Sequence, residues 1–322
     1  MAYKVLATPR SFCNSDGPYH EFLRQNDCLV DRRAQDRPLH ADELRAIIPG
    51  YDGVVLGLDE CDASVIECAD RLRVISRYGA GVDQVDLAAA SRRGIRVTNT
   101  PGANSIAVAE LCIGLMFALA RNIPQVAFAA RSGVWKRAAG WELCGKTLGI
   151  IGLGDIGQQV AIRAHDLGMR VLAYDPFTEK DVTGVERTDL QNILRQADVL
   201  TLHCALTPET RNLMSAERLA EMHPGAYIIN TARGGLVDEA ALYEVLRSGH
   251  LGGAAADVFH DDPPNGSSLL TLDNFIATPH IGATTRESVQ RMSMMAARNV
   301  VAILRGEPCP YVVNAAEIEV RN

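Results

Sequence analysis

The stretch from Gly145 to Asp175, GKTLGIIGLGDIGQQVAIRAHDLGMRVLAYD, constrains the fold more than any other part of the chain. An apolar run, Thr147 to Ile151, meets Gly152-Leu153-Gly154-Asp155-Ile156-Gly157; a helix-like segment runs to Leu167, and a second apolar run, Arg170 to Tyr174, closes on Asp175. A lone G-x-G-x-x-G is weak evidence. Between a strand and a helix, with an acid eighteen residues past Gly157, it has the context of a dinucleotide-binding βαβ unit. Gly152 lets the chain turn off the strand, Gly154 admits a pyrophosphate close to the backbone, and Gly157 lets the helix pack on the sheet. The unpaired N–H groups of the helix's first turn face the phosphates. Asp175 accepts from the ribose hydroxyls and repels a 2′-phosphate, so the reading is NAD rather than NADP.

With 322 residues the chain has room for two domains and a large core. A net charge of −7 without Lys/Arg runs argues against nucleic acid or an anionic membrane as partner. The eight cysteines are scattered with no CxxC and no Cys/His cluster, so they read as reduced packing residues of a cytoplasmic protein and no metal is expected. Cys204, near the cofactor cleft, is the thiol to test; its plainer reading is a buried small hydrophobe. The start, MAYKVLATPR, lacks the apolar core of a signal peptide. Ser105 to Ala120 is too short to span a bilayer and carries Glu110, which reads as a buried helix between domains.

The remaining chain alternates strand and helix patterns. Lys4–Thr8, Gly53–Leu58, Leu72–Arg77 and Ile95–Asn99 read as strands, with helices over His20–Cys28, Asp62–Ala69 and Val85–Arg93. That is a small parallel α/β unit. Past the opening motif, Val199–His203, Ala226–Asn230, Gly253–Val258 and Phe275–Thr278 supply strands, and Leu190–Arg195, Ala216–Met222 and Glu239–Arg247 helices, the last capped by Asp238. A final helix opens with Thr284 and Glu287 as a capping box, carries Val289, Met292, Ala296, Val300 and Ile303 on one face, and stops at Gly306. So long an amphipathic helix needs a surface to cover. The expected fold is therefore two doubly wound parallel-sheet domains, the dinucleotide-binding one (101–283) inserted into a discontinuous substrate-binding one (1–100 and 284–322).

Reactive residues follow three predicted strands: Asn230-Thr231-Ala232-Arg233-Gly234-Gly235, Asp257-Val258-Phe259-His260-Asp261-Asp262-Pro263, and Thr278-Pro279-His280-Ile281-Gly282. Strand carboxyl ends line the cofactor cleft, so an Arg, a carboxylate and a His converge beside a nicotinamide. Hydride transfer at C2 of a 2-hydroxy acid needs such a trio. Arg233 clamps the substrate carboxylate with its planar fork, His280 moves the hydroxyl proton, and Asp262 fixes the imidazole tautomer. Each has a plainer alternative: a surface ion pair, a loop histidine and a solvated turn. The turn Tyr78-Gly79-Ala80-Gly81-Val82-Asp83 stands at the end of a first-domain strand, either as a substrate loop or as a tight turn alone.

Beyond these residues, the stretches RYGAGVDQVDL, NTPGANSIAVAEL, GKTLGIIGLGDIG with YDP, TPETRNL, NTARGGLVDEAAL, DVFHDDP and TPHIGA resemble, in family order, the D-isomer-specific 2-hydroxyacid dehydrogenases, above all the short D-3-phosphoglycerate dehydrogenases. The resemblance implies two Rossmann-like domains, NAD as cofactor, a 2-hydroxy or 2-keto acid as substrate and a homodimer. It implies catalytic roles for Arg233 and His280, and cofactor contacts at Ile156, Asp175, Thr231, Asp257, His280 and Gly282; read from the residues, Asp262 joins the catalytic pair and Gly152, Gly154, Asp155, Gly157, Thr207, Ala232 and Arg233 join the cofactor site. Substrate contacts fall on Arg77, Tyr78, Gly79, Ala80, Gly81, Arg137 and Arg233.

The departures are informative. The family's catalytic Glu is Asp262 here, shorter by one C–C bond of about 1.5 Å. Either the loop before Pro263 moves toward His280, or a water bridges, or activity is reduced, since a displacement near 1 Å can cost on the order of 10²-fold in rate. Asp155 stands where a cation often follows GLG, so it must point away from the pyrophosphate or weaken binding. Ala205 replaces a usual Pro, and Leu56-Gly57-Leu58 lacks the Arg that phosphoglycerate dehydrogenases use for the phosphate, whereas Arg77 and Arg137 match substrate-side arginines. With no regulatory module after Asn322, serine feedback of the long-form type is not expected. Rival readings are a hydroxypyruvate or glyoxylate reductase, a formate or phosphite dehydrogenase, disfavoured by Asp262, and an NAD-sensing corepressor.

Overall fold

The computed structural model describes residues 2–135, 137–178 and 181–319. It divides into two compact units, Met1–Asn104 with Thr284–Asn322, and Ser105–Ala283. Residues 320–322 of the expected first domain lie outside the described residues. Within the first unit, the Thr100 N–H donates to the Gly79 carbonyl (2.9 Å) and its Oγ1 accepts from Gly79 N (2.9 Å).

The first unit begins with β1 (Tyr3–Ala7), α1 (Arg10–Asn14), α2 (Pro18–Gln25), β2 (Cys28–Arg32), α3 (Ala41–Ile47), β3 (Gly53–Leu56), α4 (Ala63–Cys68), β4 (Val74–Arg77), α5 (Leu87–Arg92) and β5 (Arg96–Thr98). Its strands pair in parallel in the order β2-β1-β3-β4-β5. β3 and β4 are buried throughout, which is why they read as unbroken apolar runs in the sequence. The expected helix to Cys28 ends earlier, at Gln25. Asp27 takes a left-handed φ of 59°, which breaks the helix, and Cys28 starts an edge strand instead.

The second unit contains α6 (Ser105–Ala120), α7 (Ile123–Arg131), β6 (Thr147–Ile151), α8 (Asp155–Asp166), β7 (Arg170–Tyr174), β8 (Val185–Arg187), α9 (Leu190–Gln196), β9 (Val199–Leu202), α10 (Ala216–Glu221), β10 (Tyr227–Asn230), α11 (Glu239–Arg247), β11 (Gly253–Ala256) and β12 (Phe275–Ala277). The seven strands are parallel in the order β12-β11-β10-β9-β6-β7-β8. The order reverses between β6 and β9, and a doubly wound sheet opens its ligand crevice at the carboxyl ends beside such a reversal. One core layer packs α6 and α8 over Leu148, Ile150, Val171 and Ile229; the other packs α9 to α11 over Ile151, Leu200, Leu202 and Ile228. Among the described residues no single helix is long and apolar enough to cross a membrane. Glu110 of α6 reaches Arg163 at 3.6 Å and keeps its charge at the surface.

The chain then returns to the first unit with α12 (Arg286–Arg305) and α13 (Ala315–Glu319). α12 covers the first sheet: Ser76 Oγ donates to Ala296 O (3.2 Å) and Asn299 Nδ2 to Asn99 O (2.9 Å). Its cap is Thr285, whose Oγ1 accepts from Ser288 N at 3.1 Å, one residue later than the spacing of Thr284 and Glu287 predicts. Gly306, at φ 74°, ends it in the left-handed conformation.

Candidate active site

The glycine loop between β6 and α8 is held by close backbone approach. Gly152 has φ 94°, and a Cβ there would meet Cys204 N at 2.6 Å and His203 C at 2.7 Å, so the loop lies against the end of β9 with no room for a side chain. A Cβ on Gly157 would collide with the Gly152 carbonyl, which pins the first turn of α8 to the loop. Gly154, in contrast, faces open space and is the N-cap of α8. Asp155 and Ile156 follow in the first turn; Asp155 is exposed, and its carboxylate suits the positive end of the helix dipole.

Asp175 secures this loop from the next strand. Its Oδ2 accepts from Leu153 N (2.7 Å) and its Oδ1 from Phe177 N (2.8 Å). Each oxygen keeps a second lone pair, so the carboxylate is oriented by the backbone and still able to accept from a ribose.

Across the reversal, Arg233 follows β10, Asp257 and Asp262 follow β11, and His280 follows β12. Asn230 closes its own loop, with Oδ1 accepting from Ala232 N (3.1 Å) and Nδ2 donating to Arg233 O (2.8 Å). Arg233 is half-buried and donates from Nη1 to Ala232 O at 2.8 Å. A Cβ on Gly234 would collide with the Phe259 carbonyl and His260 N, so the loop bearing Asp262 passes directly over the Arg233 turn. Glu239 Oε1 accepts from His260 N at 2.7 Å and holds that passage from the other side.

His280 sits at φ 53°, a left-handed conformation that a non-glycine residue adopts only when its surroundings impose it. Asp257 imposes it. Buried to 1% exposure, it accepts from Thr278 Oγ1 (2.6 Å), Ile281 N (2.8 Å) and Gly282 N (2.7 Å), clasping the loop on both sides of His280. A Cβ on Gly282 would come within 3.0 Å of Asp257 Oδ2, so the clasp leaves little space there. His280 Nδ1 then meets Asp262 Oδ2 at 2.7 Å, with both side chains about one-third exposed. The shorter carboxylate thus reaches the imidazole directly, with no bridging water required. A carboxylate on Nδ1 leaves Nε2 to exchange a proton with a ligand.

The other expected site residues are placed as follows. Thr207 closes a tight turn after β9, its N–H donating to Thr210 Oγ1 at 2.7 Å. Arg137 is exposed on the second unit. Arg77, Tyr78, Gly79, Ala80 and Gly81 belong to the first unit. Arg77 is buried there and donates from Nη1 to Tyr78 O, and a Cβ on Gly79 would sit 2.9 Å from that Nη1. The Tyr78 hydroxyl points inward, to Ser293 Oγ (3.2 Å) and Val289 O (3.3 Å), and burial pushes its pKa above 10. Its side chain is therefore part of the packing beneath α12, and the turn presents Ala80 and Gly81 to the surface. Burial also pushes the Cys204 thiol up to about 11, so it is protonated at neutral pH.

Sequence reasoning passed over one residue at the crevice, His203. Its Nε2 lies 3.0 Å from Thr201 Oγ1, burial lowers its pKa to about 3, and its buried Nδ1 has no hydrogen-bond partner among the described residues. Thr231 Oγ1 is buried and unpartnered in the same way. Because Asn230 pairs with Leu202, Thr231 and His203 are neighbours at the carboxyl edge. Together with the open Gly154, the start of α8 and the oriented Asp175, these atoms fit a bound dinucleotide. No group of three or more metal-ligating side chains occurs among the described residues.

Residues 113–282 match the family model described as D-isomer specific 2-hydroxyacid dehydrogenase, NAD binding domain. The chain is 50% identical over 260 residues to a D-3-phosphoglycerate dehydrogenase of Methanocaldococcus jannaschii, covering 79% of this chain and 50% of that protein. It is 45% identical to a hydroxypyruvate reductase of Thermotoga maritima, covering 80% of this chain and 86% of the relative. A crystal structure of the TT0316 protein from Thermus thermophilus superposes with a TM-score of 0.88 at 42% identity, covering 96% of this chain and 99% of that one. The chain spans about half the length of the D-3-phosphoglycerate dehydrogenase it matches.

Proposed function

The chain belongs to the D-isomer-specific 2-hydroxyacid dehydrogenase family, and from that premise we propose that it interconverts a D-2-hydroxy acid and the corresponding 2-keto acid with NAD. The observation that carries the proposal is the 2.7 Å contact between His280 Nδ1 and Asp262 Oδ2, on a loop clasped by Asp257 beside the Arg233 turn. NAD supplies the hydride acceptor or donor. Arg233 binds the substrate carboxylate and draws electron density from the C2 oxygen. His280 removes the hydroxyl proton during oxidation and returns it during reduction, while Asp262 holds the imidazole in the productive tautomer and offsets its charge when protonated. Gly152, Gly154, Ile156, Gly157, Asp175, Thr207, Thr231, Ala232, Asp257 and Gly282 form the cofactor cradle, with Asp155 at its exposed rim. In the first unit, the turn from Gly79 to Gly81 with Arg77, and Arg137 from the second, serve the substrate. In the same proposal, 1–100 with 284–322 is the substrate-binding domain and 101–283 the NAD-binding domain.

The substrate we propose is 3-phosphoglycerate with phosphohydroxypyruvate, supported by the 50% identical relative. One observation favours a second reading, hydroxypyruvate or glyoxylate: at Leu56-Gly57-Leu58 the chain has no cation, and the Gly57 N–H is taken up by Thr8 Oγ1 (3.2 Å) and Asp59 Oδ2 (3.1 Å). NADH consumption with phosphohydroxypyruvate, hydroxypyruvate and glyoxylate separates them. Preference for the unphosphorylated acids removes phosphoglycerate, and binding of NADH without turnover on any acid turns the proposal into that of an NAD sensor. Asp262→Asn is expected to lower turnover and shift its pH profile; an unchanged profile removes Asp262 from the mechanism.

The assembly we propose is a homodimer. α7 buries none of its residues, and it and the following turn expose Ile123, Phe128, Val134 and Trp135, the last at 89%. So large an apolar surface calls for a partner, here a second copy. Light scattering should give twice the 34.8 kDa chain mass. A cytoplasmic location agrees with eight free cysteines and no disulfide among the described residues.

A further inference from the structure

The outer edge of the second sheet carries an arginine that the catalytic reading does not use. β8 pairs with β7 so that Arg187 stands beside Ala173, and the Arg187 side chain follows β7 to its tip, where Nη2 donates to the Asp175 carbonyl at 2.8 Å. The Asp175 carboxylate is itself fixed, one oxygen on Leu153 N and the other on Phe177 N. Both Arg187 and Phe177 are exposed. A dinucleotide seated on the Gly152–Gly157 loop has its adenosine ribose at this carboxylate. A 2′-phosphate on that ribose would meet two opposed charges from adjacent strands: a carboxylate that cannot turn away, and a guanidinium whose planar fork is suited to phosphate.

We infer that Arg187 is a cofactor-specificity residue of the ribose subsite, a partner for a 2′-phosphate whose effect the Asp175 charge masks. Discrimination against NADPH then rests on the Asp175 charge, and neutralising it leaves Arg187 as the cation at the ribose subsite for a 2′-phosphate. The inference rests on the NAD-binding reading and goes beyond it by assigning Arg187.

The test is fluorescence titration of the full chain with NADH and NADPH. Asp175→Asn should raise the NADPH-to-NADH affinity ratio at least tenfold, and adding Arg187→Met should return most of that gain. Because Asp175 also secures the glycine loop, a second comparison keeps it intact, with 2′,5′-ADP and 5′-ADP as probes. Arg187→Met should weaken 2′,5′-ADP relative to 5′-ADP several-fold. Arg170→Met, which removes an arginine at the opposite end of β7 where it pairs with Glu186, should leave that ratio unchanged. The inference is overturned if the double variant keeps the NADPH gain, or if Arg170→Met matches Arg187→Met. A native chain that binds neither dinucleotide overturns the NAD reading as well; one that binds NADH with Arg187 inert overturns this inference alone.

Discussion

Each unit places one buried aspartate at the carboxyl ends of its parallel sheet, and the two are wired alike. Asp59 in the first accepts from Thr8 Oγ1 (2.5 Å), Gly57 N (3.1 Å) and Leu39 N (2.8 Å). Asp257 in the second accepts from Thr278 Oγ1, Ile281 N and Gly282 N. One threonine hydroxyl and two backbone N–H groups satisfy each buried carboxylate. The difference lies in what the tied loops carry. Asp59 joins three loops of backbone and apolar side chains, while Asp257 clasps a loop that holds an imidazole in a left-handed conformation against a second carboxylate. On the proposed function, the same device is scaffolding in one unit and pre-organisation in the other.

The largest expected effect that would break this contrast concerns His280 itself. His280→Gln should lower kcat by about 10³-fold, within the range for a lost general acid–base. Asp257→Asn leaves the imidazole present but reverses one donor–acceptor pair in its clasp, and about 10²-fold is expected. Steady-state kinetics alongside circular dichroism check both; if Asp257→Asn is as active as the native chain, the clasp is scaffolding after all.

Acid should separate the units next. His203 is neutral in the folded second unit, with a pKa near 3, whereas in the unfolded chain it titrates near 6.5. Below 6.5 the unfolded state therefore binds the extra proton. Its contribution to stability is intact above that pH and is lost as pH falls toward 3, on the order of a few kcal/mol in all. Urea unfolding from pH 7 to 4 should show this loss, and His203→Gln should flatten it; an unchanged slope in the variant rejects the assignment.

A smaller effect is expected in the first unit. Asp59→Ala strands the Leu39 N–H, while the Gly57 N–H keeps Thr8 Oγ1, and should cost about 1–3 kcal/mol of stability, with NADH affinity unaltered because the proposed cofactor cradle lies in the other unit. Smallest is Tyr78→Phe, which removes a hydroxyl shared by Ser293 and Val289 and should cost about 1 kcal/mol. A large rise in KM with stability preserved would instead return the Tyr78 side chain to the substrate site.

Some of this was legible in the chain and some was not, for reasons that particular residues show. Central strands such as Gly53–Leu56 and Val199–Leu202 are buried on both faces, so their apolar runs are plain in the sequence. Two of the edge strands are not: β2 is only partly buried and β8 is three residues long and mostly exposed, so neither has the hydrophobic signal that burial demands. α7, which buries nothing, left no pattern against a core either. The glycine loop was legible because steric need leaves a residue-type mark at Gly152 and Gly157. The direction of the Tyr78 ring was not, since a tyrosine after a strand serves a ligand or a core equally well.

The sequence by itself determined a dinucleotide loop, two parallel α/β patterns and the Arg, Asp and His that follow strands. Those features depend on local sterics, on periodicity and on chemistry carried by residue type, all of which are written in consecutive positions. Only the tertiary structure decided that Asp262 reaches His280 at 2.7 Å, that Asp257 clasps the loop around it, and that Arg187 stands beside Asp175. These depend on distances between segments brought together by strand order and register, and a shift of about 1 Å in either would undo them.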